Sequence, residues 1–262
     1  MKKVGLALGG GGAKGISHIA FLQVLDDLGV RPAIISGASI GAVIGGFYAA
    51  GVSGRQLEQL VSNLGLMDLS KMILDFSILS NSAIYKGKSV EEFISREIPV
   101  RTFADLKIPL KVVATDFWNR KEEILTSGSL VTAIRASIAV PALFEPVQIN
   151  GKILIDGGAV NPLPYDIIRH DCDLTIAIDV SGEKTFAPDD PVPNMVESIL
   201  STFQIMQASI VAAEKRWHPP TIYLKPALTD IRFLDFYRYK EILVRAQEEA
   251  LGLKETLLKV LS

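Results

Sequence analysis

The chain predicts an α/β fold with a mostly parallel central sheet, and three observations carry that expectation. Apolar runs too short for helices recur at residues 3–8, 33–35, 110–115, 152–155, 174–178 and 221–224, as buried strands do. Stretches with helical spacing of apolar residues lie between most of them. Twice, around residues 9–15 and 37–41, a strand runs straight into a glycine-rich turn and then a helix.

At 262 residues, 48% of them hydrophobic, the chain has enough apolar surface for one large core. Residues 1–262 are expected to form a single domain, because no internal repeat or low-complexity linker interrupts them. With 27 basic against 29 acidic side chains and a pI near 6.0, charge makes no case for nucleic acid as a partner. A small substrate or a lipid is left open. The lone Cys172 cannot form an intramolecular disulfide, and no Cys/His cluster has zinc spacing. Those features suit a reducing cytoplasm and a site without metal or cofactor.

The N-terminus, with Lys2 and Lys3 before an apolar run, mimics a signal peptide, but Lys14 interrupts the run and no small-residue cleavage site follows. It reads as a first strand. The loop Gly9-Gly10-Gly11-Gly12-Ala13-Lys14-Gly15 comes next, then a helix whose stripe is Ile16, Ile19, Ala20, Val24, Leu25 and Leu28, stopped by Gly29 and Pro32. Residues 32–54 carry no charge, yet a proline, serines and many glycines divide them into strand, turn and helix, not a membrane span.

Residues 54–65 read as a helix with a polar face. The following residues 66–79 are unusually apolar, and residues 64–87 are either a lid or pocket wall or ordinary core. A short helix over 89–97 is expected, with Ser89 as cap and Glu92 in the box position. Residues 110–115 form a strand ending at Asp116, a turn at 117–120 leads to a strand at 122–126, and 129–137 are helical. Pro141 and Pro146 hold an extended passage into the strand at 152–155. A strand at 174–178, an apolar helix at 194–215, a strand at 221–224 and a C-terminal helix at 237–261 complete the chain.

Chemistry concentrates at the turns. Gly37-Ala38-Ser39-Ile40-Gly41 is a G-x-S-x-G pattern at a strand-to-helix junction, either a nucleophile elbow or a glycine-rich helix start capped by its serine. The glycine loop admits three readings. A phosphate-binding loop needs Lys and Ser/Thr after its last glycine, but Ile16 follows Gly15. A dinucleotide fold needs an acidic residue at the end of the second strand, where Gly37-Ala38-Ser39 stands instead. The third reading is an oxyanion hole, since adjacent parallel strands bring both turns to one sheet edge. His18 reads as a packed histidine, Asp116 as a carboxylate bonding its own turn, and Asp156-Gly157-Gly158 as a carboxylate at a strand end before a sharp turn.

Four blocks together resemble the patatin-like phospholipase family, particularly its small bacterial single-domain members. They are Gly10-Gly11-Gly12-Ala13-Lys14-Gly15, Gly37-Ala38-Ser39-Ile40-Gly41, Arg135-Ala136-Ser137-Ile138-Ala139-Val140-Pro141 and Asp156-Gly157-Gly158, in the family's order. The resemblance implies a three-layer α/β/α sandwich and a lipid acyl hydrolase that cleaves carboxylic esters of phospholipids or other lipids. It also implies a Ser–Asp dyad without histidine, with Ser39 as nucleophile and Asp156 as general base. The oxyanion hole would lie in the loop of Gly10, Gly11, Gly12, Lys14 and Gly15, chiefly in the N–H groups of Gly11 and Gly12. Gly37 and Gly41 would shape the elbow, and Gly157 and Gly158 the turn after the carboxylate. Lys14 stands where the family often has arginine, which keeps the charge but loses a forked donor.

A dyad makes chemical sense if burial raises the Asp156 pKa and so makes it a better proton acceptor. A Ser–His–Asp esterase or thioesterase using His170 or His218 stays open, because both follow Asp156 in the chain. A catalytically silent membrane-surface or regulatory protein is opposed by the presence of both dyad residues. Met72, Phe76, Phe117, Phe203 and Met206 are expected to line an acyl pocket. The expected partners are a lipid or fatty acyl ester, the inner membrane face through peripheral contact from the cytoplasm, and a second copy of the chain.

Overall fold

The computed structural model describes residues 2–63, 88–185 and 192–261. The expected segment 64–87, with Met72 and Phe76, lies outside the described residues. Five parallel strands run to one edge of a single sheet in the order β3 (Leu110–Asp116), β2 (Ile34–Ala38), β1 (Val4–Leu8), β7 (Leu174–Ile178) and β8 (Ile222–Leu224). β4 (Lys121–Leu125) and β6 (Lys152–Asp156) pair antiparallel with β3, and β5 (Val147–Ile149) with β6.

The helices among the described residues are α1 (His18–Asp27), α2 (Ile40–Ala49), α3 (Gly54–Asn63), α4 (Lys88–Glu97), α5 (Leu130–Ser137), α6 (Met195–Trp217) and α7 (Tyr239–Leu261). Strand alternation sorts the core to both sheet faces. Leu6, Leu8, Ile35, Val112, Ile176 and Ile178 belong to a large cluster with residues of α1 to α5 and α7. Ala7, Ile34 and Ala177 instead meet Leu163, Tyr165, Ile168 and Val211 of α6. The result is the expected α/β architecture, a mixed sheet between two helical layers.

Three expectations are corrected. The second strand continues past Ile35 to Ala38, so the chain is extended right up to Ser39. Residues 141–151 are not simply extended: Leu143 and Phe144 N–H groups both bond the Val140 carbonyl, and β5 then pairs with β6 through a hairpin. Its turn is Asn150-Gly151, with φ of 50° and 78°, the two left-handed residues that match strand twist. α4 begins at Lys88, which puts Ser89 inside the helix and not at its cap. Among the described residues only α6 is long and apolar enough to cross a membrane, but it buries Leu200, Gln207 and Val211 against the rest of the chain.

One detail of register positions the site. β4 takes one edge of β3 from Val112 to Asp116. The other edge is shared: β2 pairs with it as far as Ala38↔Val113, and β6 comes the opposite way from Asp116↔Leu154 to Ala114↔Asp156. The ends of β2 and β6 therefore meet head to head along β3. Ser39 follows one end and Asp156 closes the other.

Candidate active site

Ser39 sits between β2 and α2 with φ 53° and ψ −127°, a conformation that costs a side-chain-bearing residue free energy and is found where the fold over-determines it. Three contacts do so here. A Cβ on Gly37 would lie 2.6 Å from the Gly41 carbonyl oxygen, and one on Gly41 would collide with the Leu8 carbonyl, so both elbow glycines are required by close approach. The Ser39 N–H donates to Ser137 Oγ at 2.9 Å, and the Ser137 hydroxyl donates to the Val113 carbonyl at 2.6 Å. Ser137 is fully buried and ties the elbow to β3. It belongs to a block that the sequence singled out without giving this residue a role.

Asp156 is also fully buried. Its Oδ1 accepts from the Gly158 N–H at 2.7 Å, and Thr115 Oγ1 donates to its carbonyl at 2.8 Å. Its Oδ2 has no hydrogen-bond partner of full geometry. Burial pushes the carboxyl up to about 7, against the nearby Ser39 hydroxyl and the Gly158 N–H, which favour the charged form. A carboxyl poised near neutrality beside a strained serine can take that serine's proton.

The five loop residues expected to form the oxyanion hole divide into different tasks. The Gly10 N–H is already spent on the Pro162 carbonyl at 2.9 Å, as are those of Gly9 on Ile178 and Ala13 on Phe233. Gly11 and Gly12 N–H groups have no such partner among the described residues. Gly12 has φ 60°, which turns the loop into a 3-10 segment, Gly12–Ser17. Gly15 lets that segment press on Ile40 of the elbow. Lys14 points away from solvent, its Nζ on the Ile231 carbonyl at 3.2 Å. Burial pulls its ammonium down to about 8, against the charges of Asp235 and Asp179. Its side chain anchors the loop to the 230s segment.

An apolar cavity of about 150 Å³ has Ser39 and Gly12 in its lining. Its walls are Ile40, Val43 and Phe47 of α2, Leu57, Leu60 and Val61 of α3, Val90, Phe93 and Ile94 of α4, with Val140, Phe144, Phe233 and Phe236. None of the described residues expected for an acyl pocket lines it. Phe117 is on the exposed β3–β4 turn, edge-on to Trp118, because a side chain just past the strand end leaves the core. Met206 is on the outer side of α6, 55% exposed. Phe203 comes nearest, packing on a cluster that contains the lining residues Val140, Phe144 and Phe233.

The three histidines lie elsewhere. His18 is buried, with Nε2 donating to the Gly9 carbonyl at 2.9 Å, and burial pulls it down to about 4; it is a neutral support for the glycine loop. His170 is exposed beside Arg169, and His218 is exposed and bonds Glu214 at 3.1 Å. Asp116 accepts from the Asn119 N–H and side-chain amide at 3.1 and 2.8 Å, as a turn carboxylate does.

A model of the family described as patatin-like phospholipase matches residues 6–169, a span that holds the glycine loop, Ser39, Ser137 and Asp156. The chain belongs to the patatin-like phospholipase family. Among relatives, it is 35% identical over 200 residues to an uncharacterised NTE-family protein of Mycobacterium tuberculosis, covering 76% of this chain and 55% of that one. It is 30% identical over 270 residues to the lysophospholipase NTE1 of Yarrowia lipolytica, covering 91% of this chain and 18% of that one. The patatin-like chain thus spans about half, or far less, of the length of these relatives. The crystal structure of VipD from Legionella pneumophila shares the fold, with a TM-score of 0.56 at 17% identity over 97% of this chain and 67% of that one.

Proposed function

We propose that this chain is a lipid acyl hydrolase that cleaves carboxylic esters of phospholipids, lysophospholipids or related lipids through a Ser39–Asp156 dyad and an acyl-enzyme. The observation that carries the reading is the head-to-head meeting of β2 and β6 along β3. It sets a buried, proton-accepting carboxylate beside a strained serine that lines an apolar cavity.

Ser39 Oγ attacks the ester carbonyl as Asp156 takes its proton. The Gly11 and Gly12 N–H groups receive the developing oxyanion. The alcohol leaves with the proton that Asp156 held, and water then releases the fatty acid. The acyl chain lies in the cavity between α2, α3 and α4, where each buried methylene contributes about 0.8 kcal/mol. Exposed Trp118 on the β3–β4 turn, with Ile205 and Met206 on α6, offers apolar anchors for peripheral contact with a lipid surface at the cytoplasmic side.

The positions of His170 and His218 favour the dyad over a triad, since neither is near Asp156 in hydrogen-bonding or in its effect on that carboxyl. The test is fatty-acid release from lysophosphatidylcholine by purified protein. Ser39→Ala and Asp156→Asn should lose it, the latter by roughly 10²–10⁴-fold, while His170→Ala and His218→Ala keep it. A comparable loss in either histidine variant, with Asp156→Asn active, would replace the dyad by a triad.

A further inference from the structure

Gln207 is out of place for a packing residue. It sits on α6 directly after Ile205 and Met206, which are 66% and 55% exposed, yet is itself 2% exposed. A carboxamide taken from water without partners is costly where leucine or methionine would pack freely. A Cβ built on Gly158 would run into Gln207 Nε2 and lie 3.0 Å from Asp156 Oδ1, while one built on Gly10 would lie 3.2 Å from Ser39 Cβ and 3.7 Å from Gln207 Nε2. The amide thus spans the gap between the serine side and the carboxylate side of the candidate site. Gln207 Oε1 is buried without a donor among the described residues, and the Asp156 carboxyl has the Gly158 N–H and the Ser39 hydroxyl, the second of which is lost once the serine is acylated.

We infer that Gln207 orients the water that deacylates the enzyme, an inference that rests on the acyl-enzyme reading above. Water carries two O–H donors, one for the carboxylate that acylation of Ser39 leaves short of a donor and one for the buried amide oxygen. One hydrogen is directed to Asp156 Oδ2 and the other to Gln207 Oε1, which leaves a lone pair for the acyl carbon. The water oxygen bonds to that carbon as its proton passes to Asp156. The tetrahedral intermediate then breaks its bond to Ser39 Oγ, Asp156 returns the proton to that oxygen, and the fatty acid departs. Acylation needs no such water, so Gln207 acts on the second half of the cycle alone. A Gly158 side chain would displace the amide, which gives the second glycine of Asp156-Gly157-Gly158 a task beyond its turn.

The test is stopped-flow and steady-state hydrolysis of p-nitrophenyl butyrate by the wild type, Gln207→Met and Gln207→Glu, with intact-protein mass spectrometry of quenched samples. In Gln207→Met, kcat should fall roughly 10- to 100-fold, the kinetic equivalent of losing one well-placed hydrogen bond to a reacting group. KM should fall in parallel, leaving kcat/KM near wild type, and a burst of about one nitrophenol per Ser39 should accompany butyryl-enzyme accumulation. Gln207→Glu keeps an acceptor oxygen and should deacylate faster than Gln207→Met, with its acid limb moved to higher pH by the added charge next to Asp156. Equal losses of kcat and kcat/KM without acyl-enzyme would mean a structural or oxyanion role and overturn the inference. So would wild-type deacylation in Gln207→Met. If the wild type itself never acylates, the hydrolase reading falls and this inference with it; normal wild-type turnover confines a failure to Gln207.

Discussion

Asp156→Asn should make the protein more stable as it makes it inactive, and the gain should depend on pH in a way that few other mechanisms reproduce. The folded carboxyl titrates at about 7 against an ordinary 3.8. Between those values the folded state binds the proton that the unfolded state has lost, so stability falls as pH rises from about 4 to about 7 and stays low above that. A shift of that size corresponds to roughly 4 kcal/mol at pH 8, about 2 kcal/mol at pH 5.5 and under about 1 kcal/mol at pH 4. Asparagine carries no such penalty and can keep the acceptor that bonds the Gly158 N–H. Any cost of its unpaired amide hydrogens is the same at every pH, so the pH-dependent part isolates the buried charge. Urea unfolding of both proteins at pH 4, 5.5 and 8 measures it. A difference that does not grow with pH, or an Asp156→Asn variant that is the less stable at pH 8 by a margin absent at pH 4, would refute the claim that Asp156 is a desolvated base.

Ser39→Gly should abolish hydrolysis while raising stability by about 1 kcal/mol, because glycine accepts φ 53° without strain; thermal or urea unfolding reads the gain, and a loss would argue against a strained elbow. Ser137→Ala should destabilise the fold by about 1–3 kcal/mol and lower kcat more than it raises KM, since it leaves the Ser39 N–H without its partner at 2.9 Å; unchanged kinetics would make Ser137 merely structural. In the wild type kcat/KM should climb by about fourfold per added methylene over short acyl esters, and Val61→Phe, which fills the cavity from α3, should flatten that climb while sparing the shortest ester. An unaltered chain-length profile would move the acyl chain out of this cavity.

The pieces that are local in the chain were legible in it. Ser39 and Asp156 each end a short apolar run and stand beside glycines, so strand, turn and chemistry are encoded within five residues. The hairpin of β5 and β6 had its own local signal in Asn150-Gly151, obscured by two prolines upstream that suggested extension. Tertiary contact decides the rest. Leu57, Leu60 and Val61, like Val90, Phe93 and Ile94, have the i, i+3, i+4 spacing of any helix facing a core, and only the fold shows that the two triplets face each other across a cavity beside Ser39. Phe117 and Met206 are as apolar as those residues but lie on a turn and on the outer side of a helix. Gly10 looks like Gly11 and Gly12 in sequence, yet its N–H is consumed by a carbonyl 152 positions away. Gln207 has no motif at all, and its burial against Gly158 and Gly10 is visible only after folding.

The central claim is that Asp156, with an acid limb set by its own burial, activates Ser39. Labelling by a serine-reactive phosphonate, followed from pH 5 to 9 and mapped by peptide mass spectrometry, tests it most directly. The account predicts one adduct on Ser39, a rate that rises with pH to a plateau with its midpoint near 7 and is about a tenth of the plateau at pH 6, and a flat, slow profile in Asp156→Asn. An adduct on another serine, or the same midpoint surviving in Asp156→Asn, would contradict it.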